Sequence, residues 1–393
     1  MNKPKITYFA ETSGRPPHIP FGIYQSDRAL HMYILGKTGT GKSTLLETLA
    51  RADIVDGHGL ILIDPHGDLA ERLASAVPEY RKHQLIYLDP ASDAGTFGYN
   101  PLKNIQPEYI ARAVSGLLET MRNHFGEKSW GSRMEHILRN VLYALFEYGN
   151  ACLPDILRML SEKEFRAQVV RKVTNPQVRY FFKEEFSKLW GRTLFDAIAP
   201  IQSKVGALLT DPILVKTLVN HKTEISFRKA MDESQIVIVN LSRGILGSDT
   251  AHFLGSVITQ TVALAAMSRL ELETTKRTPM YLYLDEFEHL LTKGTASMLS
   301  EVRKAGLAVV LANQYFHQLS PDIHAAIIGN VGTMVCFRVG AEDAKFVSRI
   351  FGEEISATNI LNQSNHNFFI QMMIEGEPSK PFSGKTILPS RKF

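Results

Sequence analysis

Cysteine is nearly absent. Only Cys152 and Cys336 occur in 393 residues, and no C-x-x-C pair is present. That excludes a disulfide framework and a cysteine-built zinc site, and it suits a reducing compartment. A strong excess of one charge is also missing: 44 Lys+Arg face 40 Asp+Glu, a net of +4, so no basic tail announces a nucleic-acid partner. The opening MNKPKITYFAETSGRPP lacks the apolar core of a signal peptide. One uncharged run, residues 250–268, approaches membrane-spanning length. It carries His252, Ser256, Thr259, Gln260 and Thr261, so it reads as a buried helix of the main domain. The expectation is a cytoplasmic chain with no transmembrane segment of its own.

What is present is patterned. The first thirty residues, rich in Pro and Gly, read as an irregular lead-in. Short apolar runs then alternate with helical spacing: MYIL, GLILID, QLIYLD, IVIVNL, MYLYLD, LAVVLA and TMVCFRV. Runs of this length, bounded by turn residues and separated by helices, predict an α/β fold with a mainly parallel sheet covered on both faces. Residues 105–232 break the rhythm with helical spacing and no convincing strand. The predicted organisation is a first core segment (1–104), an all-helical insertion (105–232) and a second core segment (233–393), whose NFFIQMMIEGEPSKPF reads as a terminal strand or hairpin. The insertion holds 19 Lys+Arg against 14 Asp+Glu, so the whole positive excess lies there. This fits a basic face for nucleic acid and equally a solvated helical surface.

Gly36, Lys37, Thr38, Gly39, Thr40, Gly41, Lys42 and Ser43 match G-x-x-x-x-G-K-[ST], directly after a strand-like run and opening a helical one. Glycines let the backbone curl until successive N–H groups face phosphate oxygens, and the following helix adds positive potential. Lys42 is assigned to the β- and γ-phosphates of ATP, Ser43 to Mg²⁺, and Thr44 completes the nucleotide-binding run. The alternative is a glycine-rich turn with no ligand.

A phosphate loop needs acids. MYLYLDEFEHL offers Asp285 for the metal shell and Glu286 to polarise the attacking water; the alternative is an acidic first helical turn. Beyond LAVVLANQ, Asn313 and Gln314 form a polar tip on a strand expected beside the acidic one, where it would sense the γ-phosphate. Arg303 is a candidate for stabilising developing charge from a neighbouring subunit, and Arg338 is a second candidate. Arg303 as a helix-surface charge and Arg338 as a strand-edge charge remain open alternatives. Trp130 and the Phe181–Phe182 pair offer a grip on a substrate but read more readily as packing residues.

With these residues in view, the chain resembles the HerA–FtsK superfamily of P-loop motor ATPases, and most of all its branch of conjugative coupling proteins and type IV secretion ATPases (TraG/TraD-like). The stretches that carry this are FGIYQSDRALHMYILGKTGTGKS with Gly22 and His31, LILIDPHGDLAERL, YNPL, WGSRMEHILRN, IVNLSRGILG, YLYLDEFEHL and EVRKAGL with ANQ. The resemblance implies a RecA-like core interrupted by an all-helical domain and a homo-hexameric ring. DNA would be held without regard to sequence, with ATP sites between subunits. It places Arg303 as the trans-acting arginine, Gln314 as the nucleotide sensor and Asp64 as an acid lining the site without a catalytic role. A membrane complex, a relaxase or a nuclease would be its partner. Members of the branch usually carry N-terminal membrane helices, and their expected absence argues here against membrane anchoring and conjugation; the expectation is a soluble motor, recruited to the inner membrane at most peripherally.

Other P-loop classes fit less well. A DExH helicase needs a second RecA domain, an ABC ATPase an L-S-G-G-Q-like signature, and an AAA+ machine a helical lid after its core. The leading expectation is an ATP-driven DNA translocase. Its alternatives are a motor that moves protein substrates and a ring platform that regulates a partner nuclease or effector.

Overall fold

A computed structural model describes residues 5–14, 16–92, 97–219 and 223–389. The chain divides into two compact units: residues 1–87, 228–242 and 269–393 form the first, and residues 88–227 and 243–268 the second.

The first unit holds an eleven-stranded sheet. In chain order its strands are β1 (Ile6–Thr12), β2 (Pro20–Tyr24), β3 (Met32–Leu35), β4 (Gly59–Asp64), β5 (Leu85–Leu88), β6 (Ile236–Asn240), β7 (Met280–Leu284), β8 (Leu307–Asn313), β9 (Thr333–Cys336), β10 (Asn367–Gln371) and β11 (Phe382–Thr386). Their order across the sheet is β2-β1-β11-β10-β9-β3-β8-β7-β4-β6-β5. From β9 to β6 every pairing is parallel; from β9 back to β2 every pairing is antiparallel. The fold is α/β, a RecA-like P-loop core.

The central strands are apolar without alternation because both faces are covered. Every residue of β3, β4, β6, β7, β8 and β9 is buried. The helix Lys42–Val55 buries Leu45, Leu46, Leu49 and Ile54 against this sheet. Truncating Leu46 to Ala there would cost about 2–5 kcal/mol. A buried Arg28–Asp53 pair ties this helix to the segment before β3. Asp53 also accepts from the Tyr283 hydroxyl on β7, and Arg28 lies 3.8 Å above the Tyr281 ring.

The lead-in differs from expectation. Apart from residues 1–4 and 15, which lie outside the described residues, it forms β1 and β2. The Pro- and Gly-rich turn between them hides an alternating strand whose partner, β11, lies at the far end of the chain.

The second unit is built of helices, including Ile110–Phe125, Ser132–Tyr148, Lys163–Lys172 and Gly191–Thr210, plus a short parallel pair, Phe97–Gly98 with Thr223–Glu224. This division differs from the expected bounds in two places. The unit begins near residue 88, earlier than residue 105. It also claims the helix Ser248–Met267, which was expected in the main domain and instead packs on Ile110–Phe125. Gln260 on that helix donates to the Ala113 carbonyl at 3.1 Å, a polar satisfaction that apolar counting does not reveal. The segment Ser248–Glu271 is the one described helix long and apolar enough to cross a membrane, and 78% of its apolar stretch is buried within the protein.

Candidate functional site: a phosphate loop facing two acids

Parallel strands bring their carboxyl ends to one edge, and the candidate residues sit there. In the registers of β8 with β3, β7 with β8, and β6 with β4, Asn313 lies beside Leu35, Leu311 beside Leu284, and Asp64 beside Asn240. Gly36, Gln314, Asp285 and Asp64 therefore leave the sheet side by side. β8 lies between the phosphate-loop strand and the acidic strand, as expected for a sensor strand.

The loop wraps a pocket of about 360 Å³, lined in part by Thr38, Gly39, Gly41, Lys42, Ser43 and Thr44. Gly41 has φ +120°, and a Cβ there would stand 3.0 Å from His366 Nδ1. Only glycine accommodates both that conformation and that neighbour. Thr40 is buried, its hydroxyl donating to Lys37 O at 2.7 Å, while the Lys37 amide is fixed by Arg338 O at 2.9 Å. The Lys42 ammonium donates to Gly36 O at 2.5 Å and Lys37 O at 3.2 Å. Burial lowers its pKa, opposed by Asp285 and Glu286.

Asp285 is buried, and its Oδ2 accepts from the Ser43 hydroxyl at 3.4 Å. Burial, and then the nearby Asp64, push its carboxyl up to about 6, against the pull of Lys42. Glu286 adopts a left-handed backbone, φ 46° and ψ 48°, uncommon for a side chain of its size and typical of residues held for function. Its Oε1 accepts from Gln314 Nε2 at 2.5 Å and meets His66 Nε2 at 2.7 Å; Thr38 donates to Gln314 Oε1 at 2.8 Å. The contact with Glu286 raises the His66 pKa. Asp64 is committed elsewhere: its oxygens accept from the His66 and Ala70 amides, fixing the turn into the helix Asp68–Ser75.

Asn313 and Gln314 separate. Asn313 is wholly buried, accepting from the Tyr33 hydroxyl, and only Gln314 lines the pocket. Arg338, the second arginine candidate, is engaged within its own chain. Its guanidinium donates to Gln363 O and Asn365 Oδ1, both at 3.0 Å, and does not line the pocket. It holds the turn before β10 instead. Arg303 is exposed on the helix Leu299–Lys304, ahead of β8. The six steps along β8 put it about 20 Å from the edge that bears its own phosphate loop. Its own site is out of reach.

His66 and His366 are among the lining residues that escaped sequence reasoning. His66, inside DPHG, was legible as a motif but not as the partner of Glu286. His366 arrives from β10 at the other end of the chain; its amide donates to Thr40 O at 2.7 Å, and its buried Nδ1 has no hydrogen-bond partner. No local signal marks it.

These residues fit ATP and Mg²⁺. The glycine cradle leaves room where a Cβ would intrude, Lys42 is the one buried cation of the pocket, and Ser43 with Asp285 offer two hard oxygens. Magnesium takes about that many ligands from a protein and the rest from phosphates and water. Among the described residues no three His, Cys, Asp or Glu side chains converge as a metal site.

Comparison with known proteins gives one direction. A family model described as the type IV secretion-system coupling protein DNA-binding domain matches residues 17–368. The type 4 coupling protein DotL of Legionella pneumophila subsp. pneumophila is 22% identical over 422 residues, covering 90% of this chain and 53% of DotL. The chain thus spans about half the length of that curated relative. Among solved structures, the unbound bacterial conjugative coupling protein TrwBdeltaN70 superposes with a TM-score of 0.69 at 17% identity, covering 94% and 88% of the two chains. Plasmid coupling protein TrwB in complex with ADP and Mg²⁺ gives 0.68 at 17%, covering 99% and 96%. VirB4 of Thermoanaerobacter pseudethanolicus gives 0.58 at 14%, covering 92% and 90%.

Proposed function

The chain belongs to the family of type IV secretion-system coupling protein DNA-binding domains, and from that premise we propose that it is an ATP-hydrolysing ring motor that translocates DNA. The observation that carries the reading is the meeting of Lys42, Ser43, Asp285, Glu286 and Gln314 at one pocket, brought together from three turns at the same sheet edge. Relatives in the comparison are a plasmid coupling protein solved with ADP and Mg²⁺ and a type 4 coupling protein, which agree with nucleotide use and with a coupling role.

In this mechanism Lys42 and the loop amides hold the phosphates, and Ser43 and Asp285 hold Mg²⁺, which supplies charge neutralisation at the phosphates. Glu286 orients the attacking water and takes its proton. Gln314, bonded to both Glu286 and Thr38, couples the loop to the base. Arg303 acts on a neighbour's pocket, which makes the site incomplete in a single chain and calls for a ring, a homo-hexamer on the family's pattern. No base-reading motif stands out, so DNA contact rests on phosphates and weakens with salt. The test is ATP-dependent displacement of a triplex strand from duplex DNA. The wild type should displace it and Glu286→Gln should not; no displacement by either protein, with ATP turnover intact, would overturn the translocase reading.

A further inference from the structure

The helical unit carries a second concavity, of about 740 Å³, walled by the helices Lys163–Lys172 and Pro176–Tyr180, the turn after them, and the start of Gly191–Thr210. Its lining includes five cations, Lys163, Arg166, Arg171, Arg179 and Lys183, and no acid. Among the described residues no carboxylate pairs with Lys163, Arg171 or Lys183. Of the neighbouring acids, Glu162 pairs with Arg158, Glu184 with Lys188 and Glu185 with His136, while Glu164 acts on Arg166 through space without lining the groove. Massing like charges this way costs stability.

The floor is apolar, made by Val170, Phe182, Phe186, Leu189 and Leu194. Two of the guanidinium groups are already oriented. Arg166 donates to Met159 O at 2.8 Å and lies 4.9 Å over the Phe186 ring; Arg179 donates to Val173 O at 2.5 Å. Each keeps further N–H groups for a carboxylate. Phe181–Glu185 is a π-helical turn, a form often retained where it shapes a functional site.

We propose that this groove captures an acidic, apolar-anchored peptide segment of a protein partner. Leucine or phenylalanine side chains would fill the floor while glutamates or aspartates pair with the rim. A nucleic acid fits less well. The Phe182 and Phe186 rings are packed on Phe181 at 5.0 and 5.9 Å and on each other at 5.8 Å, so they offer no free face for a base. The inference goes beyond the motor reading, and neither its truth nor its test requires ATP hydrolysis or DNA.

Trp190, beside Leu189 and 81% exposed, reports on the groove; Trp130→Phe in the full chain leaves it as the only tryptophan. The probes are a short peptide alternating glutamate with leucine and phenylalanine, its lysine-for-glutamate counterpart, its alanine-for-leucine and -phenylalanine counterpart, a single-stranded oligonucleotide, and phosphatidylglycerol vesicles. The acidic amphipathic peptide should shift Trp190 emission saturably and the two altered peptides should not. Arg171→Glu with Lys183→Glu, both exposed, should weaken its binding by at least about ten-fold, and Leu194→Glu should do the same from the floor. The proposal is overturned if the acidic peptide gives no saturable shift or if the lysine peptide binds as well. It is equally overturned if the oligonucleotide or the vesicles bind and lose that binding in the double variant.

Discussion

Gln314 Nε2 donates to Glu286 Oε1 at 2.5 Å, and through Thr38 the same glutamine touches the phosphate loop at 2.8 Å. A change at the loop thus reaches the base through a single side chain. Gln314→Ala should bind ATP normally and lose about ten- to a hundred-fold in kcat, since Glu286 then keeps its chemistry but not its aim. Equal losses of nucleotide affinity and turnover would instead mean that Gln314 serves binding.

His66 shares the oxygen that Gln314 holds. Its raised pKa means the imidazolium persists above the ordinary 6.5 and disappears as pH climbs through the raised value. While charged, it weakens Glu286 as a base. Turnover should therefore rise with pH across the neutral range, and His66→Ala should flatten that rise. Stability runs the other way: the pair contributes fully below 6.5 and less above, and only a little, because half of the His66 side chain is exposed. A pH–rate profile identical in the two proteins would refute the coupling.

Asp285 illustrates a cost of function. Its carboxyl sits near 6 in the fold against an ordinary 3.8, so between those values the folded state holds a proton that the unfolded chain has released. Stability falls as pH rises through that window. At pH 7 the ionised, buried group destabilises the fold by on the order of 3 kcal/mol. Asp285→Asn should raise the Tm at pH 7, raise it much less at pH 4, and abolish Mg²⁺-dependent turnover. An Asn variant less stable than the wild type at neutral pH would contradict this.

Much of the core site was legible. GKTGTGKS fixes its own geometry through glycines and a helix start, and LYLDEF and VVLANQ end buried strands, so adjacency at the carboxyl edge followed from parallel pairing. What stayed hidden depends on partners distant in sequence. β1 pairs with β11 across almost the whole chain, and His366 meets Gly41 only because β10 joins the sheet two strands away from β3. The partners of the Arg338 guanidinium lie 25 and 27 residues further on, so its role in holding the turn before β10 has no local sequence signal. The helix Ser248–Met267 carries a core-like composition that suits either unit, and only its contacts decide between them.

Arg303 is exposed and about 20 Å from its own pocket edge. Arg303→Ala should bind ATP normally and turn it over about a thousand-fold more slowly. Mixed with inactive Lys42→Ala, it should recover part of the activity, because some interfaces then pair an intact loop with an intact arginine. Mixtures as inactive as their components would confine Arg303 to a surface role.

The central claim, that ATP hydrolysis here is coupled to DNA, is tested most directly by the steady-state ATPase rate. It should be measured without nucleic acid, with single-stranded DNA and with double-stranded DNA, at two salt concentrations, using Glu286→Gln as the blank. The account predicts several-fold stimulation by DNA that fades as salt rises. A Glu286-dependent rate indifferent to every DNA at both salts would contradict it.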